Sequence, residues 1–278
     1  MLITYTLDSQ KSGKHLLIIG SIHGNEVAWS VWIEKFIAAI KKGIVSLSVW
    51  KITCIPYANW EAYKKNTRYI NSNANRLFDQ VGTTPEHIFV QKIREEIKSC
   101  DFLLDLHTYH YGNGSFLFDD YESEETTILF DVIPVDQVIL WWNNLYSGVK
   151  LGMDSTAYAK SLWIPATTVE CGFHTDKDAI SIAYQSIVNI GLTLWIIEWT
   201  PSTTPTPKKR IRMETIVGKP DNAMFSKRWK HGDIIQPNEV IYHIWREDLR
   251  NGQSKKIMVI PFPDATSKDE WFYIGTEV

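Results

Sequence analysis

Cysteine is scarce in this chain of 278 residues, and the few cysteines form no recognisable pairing pattern. Cys54, Cys100 and Cys171 are an odd number, and none of them belongs to a C-x-x-C pair. A secreted fold that depends on disulfides normally has an even set at regular spacings. We therefore interpret the three as reduced, buried thiols and expect a cytoplasmic protein.

A strong charge of one sign and a long apolar run are also missing. The formal net charge is only -3, whereas nucleic acids and anionic membranes are bound by strongly basic surfaces. We expect neither as a partner. The first residues lack the basic and apolar segments of a secretory signal, and the apolar stretches are too short to span a bilayer. The 12 tryptophans are interpreted as core packing, since base stacking would need a basic groove.

Apolar residues make up 44% of the chain, enough for a substantial core. Continuous apolar runs predict strands, and apolar residues at helical spacing predict helices. The predicted strands span 15–20, 46–56, 100–106, 115–118 and 163–169, and the predicted helices span 27–42, 85–99 and 177–198. This alternation is typical of an α/β fold with a mixed, mostly parallel sheet flanked by helices.

The pattern changes near residue 200. Residues 200–207 are rich in threonine and proline and are typical of a linker. Short strand-like runs without a useful helix signal follow at 209–217, 239–245, 256–260 and 270–274. We therefore predict a catalytic domain over 1–200 and a small β domain over 201–278, which caps or flanks the active site.

A histidine and a glutamate stand where the first core strand gives way to a helix. His23 and Glu26 are three residues apart, so both side chains can reach one ion. Imidazole and carboxylate groups are ordinary zinc ligands. The motif alone is weak, because a helix that begins with Asn25 as its cap explains it equally well.

Two other predicted strands also end in ionisable residues. His107 follows one of them and Glu170 follows another. The carboxyl ends of parallel strands meet along one edge of a sheet, so these side chains can converge with His23 and Glu26. Two histidines and one glutamate would give zinc three ligands and leave a position for water, with Glu170 as a free base beside it. His110 is the alternative to His107 as the third ligand.

Residues 57–80 form a long polar stretch without a clear period, and such loops are usually functional. It contains Arg68, Asn75 and Arg76. Arginine offers forked donors that suit carboxylates and oxyanions. Beside a metal site, these residues indicate an anionic substrate. Residues 122–153 are ambiguous.

Four segments and one arginine together resemble a known family. The segments 23–26, 73–78, 105–108 and 168–172, with Arg68 placed before the second of them, occur in the order and rough spacing of the succinylglutamate desuccinylase/aspartoacylase family. This family is a branch of the zinc carboxypeptidase superfamily. The motifs cover residues 15–175, while the C-terminal part matches by layout only.

The resemblance implies a zinc-dependent hydrolase that removes the acyl group from the nitrogen of an amino acid. One Zn²⁺ would be bound by His23, Glu26 and His107. Glu170 would be the general base and then the proton donor to the leaving amine, and Arg68 would polarise the scissile carbonyl and stabilise the oxyanion. Asn75 and Arg76 would hold the substrate's carboxylate. The small-molecule substrate would be the main partner, and a homo-oligomer is compatible with the sequence.

The sequence departs from the family at Asn73, where an aspartate is expected to orient a zinc-binding histidine. This departure favours one alternative, a binding protein of the same fold with impaired catalysis. The other alternative is a metallocarboxypeptidase that acts on peptides. The acyl group and the amino acid are not specified. Candidates for contacts to a second substrate anion are Lys160, Arg228 and Tyr273.

Overall fold

Strands that are buried along most of their length form the centre of the protein, because both of their faces are covered by helices. The computed structural model describes residues 2–27, 30–48, 51–145, 152–198, 207–267 and 270–278. In the first part of the chain the strands are β1 Ile3–Asp8, β2 His15–Gly20, β3 Ser46–Leu47, β4 Lys51–Tyr57, β5 Phe102–Tyr109, β6 Phe116–Asp119, β7 Gln137–Leu140, β8 Ala166–Phe173 and β9 Ile197–Glu198. The helices are α1 Ser30–Lys41, α2 Trp60–Lys65, α3 Pro85–Lys98, α4 Glu124–Asp131, α5 Trp142–Leu145, α6 Ser155–Ser161 and α7 Ala179–Thr193, with a short 3₁₀ turn at Ala74–Arg76.

The strands of the last part continue the same sheet. They are β10 Lys209–Gly218, β11 Ala223–Phe225, β12 Ile234–Ile235, β13 Val240–Ile244, β14 Glu247–Arg250, β15 Lys256–Val259 and β16 Glu270–Glu277. Eleven strands are hydrogen-bonded in the order β1-β4-β2-β5-β8-β6-β7-β10-β16-β15-β12. The strands β4, β2, β5 and β8 run parallel to one another, so their carboxyl ends meet at one edge.

Two apolar clusters cover the two faces of the parallel strands. One contains Leu16, Ile18 and Phe36 and packs against α1 and α7. The other contains Leu17, Ile19 and Phe89 and includes residues of α3 and α6. Successive side chains of a strand point to opposite faces, and the fully buried run of β2 supplies both clusters. The predicted α/β fold with a mixed, mostly parallel sheet is therefore confirmed.

The element bounds differ from the prediction where local chain geometry intervenes. The predicted strand 163–169 begins only at Ala166, because Trp163 has a positive φ of 62° and Pro165 precedes the ladder. It also continues beyond Glu170 to Phe173. The helix predicted over 177–198 ends at Thr193, where Trp195 takes a left-handed φ of 60°.

Several short elements were not predicted. Strand β1 has only six residues, and the helices α2 and α6 have six and seven. Runs this short contain too few periods to stand out. The predicted strand over 46–56 is resolved as β3 and β4, with 49–50 outside the described residues.

The C-terminal strands are joined to the preceding part through β10, which pairs in parallel with β7. Strands β11, β13 and β14 form a separate three-stranded sheet beside a cluster that contains Trp229 and Trp271. The predicted linker lies mostly outside the described residues, and the division at residue 200 stays a prediction. No helix within the described ranges is long and apolar enough to cross a membrane.

Candidate metal centre and active site

Three buried side chains from two adjacent strands meet at the carboxyl edge of the parallel strands. His23 and Glu26 lie in the loop after β2, and His107 lies near the end of β5. One potential ligand atom from each side chain lies within 4.8 Å of the other two. Strand β5 continues to Tyr109, so His107 is part of the strand rather than the first residue after it.

Glu26 stands between the two imidazoles. Its Oε1 lies 2.7 Å from Nδ1 of His23, and its Oε2 lies 3.0 Å from Nδ1 of His107. The rings of the two histidines are 5.1 Å apart between centroids and nearly perpendicular. Both Nδ1 atoms and the carboxylate therefore face one point. This donor set of two nitrogens and one carboxylate fits a zinc ion with three protein ligands.

The other ring nitrogen of each histidine faces an oxygen acceptor. Nε2 of His23 donates to Oδ1 of Asn73 at 3.0 Å, and Nε2 of His107 lies 3.1 Å from Oδ1 of Asp105. A proton held on Nε2 leaves the Nδ1 lone pair available to a metal. Asn73 thus contacts His23 with a neutral amide oxygen.

The ionisable side chains of this centre shift one another's pKa values. Burial alone would raise the pKa of Glu26, but the adjacent His23 and His107 hold it well below its usual range. Burial and the neighbouring Arg68 lower the pKa of His23 to about 4. For His107, burial is outweighed by Asp105 and Glu26, which raise its pKa well above the ordinary value.

Glu170 lies on β8 directly beside His107, its register partner across the parallel pair. Its Oε2 is buried and makes no hydrogen bond to any described residue. Burial raises the pKa of Glu170 to about 8, against the opposing charge of His107. This carboxyl group is therefore suited to take up and release a proton near neutral pH.

Arg68 extends over the centre from the polar stretch after α2. Its Nη1 donates to Oε1 of Glu26 at 3.1 Å, and its side chain is about a third exposed. Its backbone carbonyl accepts the N–H of Gly24 at 3.1 Å. A Cβ on Gly24 would lie 2.2 Å from the carbonyl carbon of Ala62, so only glycine allows this close approach to α2.

Asn75 and Arg76 are held in place by contacts from later parts of the chain. Oδ1 of Asn75 accepts the backbone N–H of Ser155 at 3.1 Å. Nη2 of Arg76 donates to both carboxylate oxygens of Glu270 at 3.2 and 3.3 Å. Tyr273 donates its hydroxyl hydrogen to the same carboxylate. Glu270 could not be predicted from the sequence, since nothing local marks an acid at the start of β16 as the partner of Arg76.

The remaining candidates contact other residues of the chain. Lys160 donates to the backbone carbonyl of Asp120, and Arg228 lies over the ring of Tyr111 at 4.4 Å. His110 lies outside the group of converging donors, and its ring packs against His174 at 4.6 Å.

Comparisons with known proteins identify the family of this chain. The sequence profile of the succinylglutamate desuccinylase/aspartoacylase catalytic domain matches residues 12–185, more than half of the chain. The chain belongs to this family. No curated protein matches the sequence.

Solved structures of the succinylglutamate desuccinylase/aspartoacylase family share the whole fold. A succinylglutamate desuccinylase/aspartoacylase from Rhodobacter sphaeroides superimposes with a TM-score of 0.80 at 15% identity, over 100% of this chain and 89% of that one. A succinylglutamate desuccinylase from Vibrio cholerae gives 0.79 at 20% identity, over 99% and 85%. A tripeptide-bound cell shape determinant protein from Helicobacter pylori, whose name is not that of the family, shares part of the fold: its TM-score is 0.61 at 16% identity, over 74% of this chain and 58% of that one. Family membership and fold support a hydrolase of N-acyl amino acids.

Proposed function

We propose that this protein is a zinc-dependent hydrolase that cleaves the amide bond of an N-acyl amino acid. The observation that carries the proposal is the convergence of His23, Glu26 and His107 within 4.8 Å, with Glu170 beside them. Three donors of this kind are the pattern of a catalytic zinc site, whereas structural sites normally have four.

The chain's own residues supply the proton transfers. When bound, zinc lowers the pKa of a water molecule and polarises a carbonyl group. Glu170 accepts a proton from the attacking water and passes it to the amine nitrogen as the amide bond breaks. Burial raises the pKa of this carboxyl group above its usual range, so it binds the transferred proton more firmly than an exposed carboxylate would before passing it on.

Arg68 and Arg76 act on the charged parts of the substrate. Arg68 donates to the carbonyl oxygen while negative charge develops on it, a contribution of several kcal/mol in comparable sites. Arg76, with Asn75 beside it, holds the carboxylate of the amino acid. Arg76 is already paired with Glu270, so a substrate carboxylate shares or displaces that contact.

A hydrolysis panel tests the proposal. Purified protein with zinc is incubated with N-acetyl, N-succinyl and N-formyl amino acids and with short peptides, and the released amino acid is measured. We expect activity confined to one acyl class. Zinc-loaded protein that hydrolyses none of these would favour a binding protein, and amino acids released from peptide C-termini would favour the carboxypeptidase alternative.

A Glu170→Gln variant tests the base. It keeps the size of the side chain but cannot accept the proton, so the rate should fall by a factor on the order of 10² to 10⁴ while zinc stays bound. Glu95→Gln, a change on the exposed surface of α3, serves as the control.

A further inference from the structure

One serine connects the surroundings of a metal ligand with the group expected to anchor the substrate. Ser155 donates its hydroxyl hydrogen to Oδ2 of Asp105, whose Oδ1 faces Nε2 of His107. The backbone N–H of Ser155 donates to Oδ1 of Asn75 at 3.1 Å. Two bonds from a single residue therefore reach both parts of the site.

The position of Ser155 explains how it can make both bonds. It is the first residue of α6, and Asp154 caps that helix by accepting from the N–H of Ala157. Backbone N–H groups in the first turn of a helix have no partner within the helix. The N–H of Ser155 is thus free to point out of α6 and reach Asn75.

The hydrogen bond from the Ser155 hydroxyl to Asp105 is shielded from solvent. Ser155 and Asp105 are both 0% exposed, and His107 is 2% exposed. Water cannot replace a lost donor to Oδ2 in such surroundings without entering the core. The hydroxyl therefore restrains the rotation of the Asp105 carboxylate, whose Oδ1 lies 3.1 Å from Nε2 of His107.

We propose that Ser155 is a positioning residue that orients His107 through Asp105 and at the same time holds the substrate anchor Asn75. The inference rests on the metal centre of the proposed function. Helix α6 supplies none of the proposed metal ligands. Its role would be to hold His107 and Asn75 at a constant distance from each other.

Zinc affinity and the absorption spectrum of the cobalt-substituted protein test this role without relying on turnover. Ser155→Ala removes the hydroxyl and keeps the backbone N–H. We expect its zinc dissociation constant, measured by chelator competition, to rise about 10- to 100-fold, with an altered cobalt spectrum. Ser155→Thr restores the hydroxyl and should recover most of the affinity and the original spectrum.

Thr156→Ala is the matched control. Thr156 is the next residue of α6, is also buried, and directs its hydroxyl to Asp154 at 3.0 Å rather than to Asp105. Its loss should leave the zinc affinity and the cobalt spectrum unchanged. If Ser155→Ala does not fold, Ser155→Cys provides a weaker donor of similar size, and its affinity should lie below that of the wild type.

The outcomes separate this inference from the proposed function. Wild-type zinc affinity and spectrum in Ser155→Ala would overturn the positioning role even if the protein is an active hydrolase. A wild type that hydrolyses nothing, together with a weakened Ser155→Ala variant, would keep the positioning role and overturn the hydrolase. A wild type that binds no zinc would overturn both.

Discussion

Replacing Asn73 by aspartate should strengthen metal binding. Oδ1 of Asn73 accepts from Nε2 of His23 at 3.0 Å and from the backbone N–H of Asn75 at 3.0 Å. A carboxylate can accept the same two bonds, because it has nearly the same shape. Hydrogen bonds to a charged acceptor are about twice as strong as neutral ones, whose net value is about 1 kcal/mol.

The expected gain in zinc affinity comes from the hydrogen bond between residue 73 and His23, since His23 is the proposed metal ligand. About 1 kcal/mol added to the contact with His23 corresponds to a zinc dissociation constant lowered about fivefold. The side chain of Asn73 is half-buried, so solvent screens part of the new charge and larger effects are not expected.

Chelator competition at constant pH measures this change. Asn66→Asp is the control, since it makes the same chemical substitution at the exposed end of α2. It should leave the affinity unchanged. An Asn73→Asp protein that is folded but binds zinc no more tightly than the wild type would refute the view that this side chain supports His23.

Three further predictions concern stability, each measured by denaturant unfolding. Burial lowers the pKa of His231 to about 3. Below pH 6.5 the unfolded chain therefore binds a proton at this residue that the folded chain does not, and His231 alone should lower the free energy of unfolding by about 2 kcal/mol from pH 7 to 5. His231→Gln should lose clearly less over that range, and an equal loss would contradict the assignment. Gly24→Ala should destabilise the protein by about 3 kcal/mol, because the new Cβ would overlap the backbone of Ala62; unchanged stability would contradict the tight approach. Asp119→Ala should cost about 3 kcal/mol, since it removes a buried carboxylate that pairs with Arg210 at 3.3 Å; a cost below about 1 kcal/mol, the value of a surface pair, would contradict it.

The sequence was sufficient to predict the strands that position the candidate metal ligands. The buried run of β2 is continuous and apolar, and His23 and Glu26 follow it directly. His107 could be placed on the same edge because parallel strands bring their carboxyl ends together. Only the structure shows that the ligand atoms of the three side chains lie within 4.8 Å of one another. A sequence pattern predicts the edge of the sheet on which residues lie but not their side-chain rotamers.

Contacts between residues that are far apart in the chain could not be predicted from the sequence. Arg76 and Glu270 are 194 positions apart, and their pairing depends on how β16 docks into an eleven-stranded sheet. Ser155 was missed because α6 is one of the short helices without a visible period. Its hydroxyl matters only because Asp105 is buried beside it, which no local pattern shows.

The pairing of Arg76 with Glu270 has a consequence for synthesis of the protein on the ribosome. A nascent chain that has emerged as far as β8 already contains every proposed metal ligand, Arg76 and the proposed base. It lacks β16, and with it the counter-charge that holds the Arg76 guanidinium. The carboxylate that pairs with Arg76 is therefore synthesised after all the other residues of the proposed site.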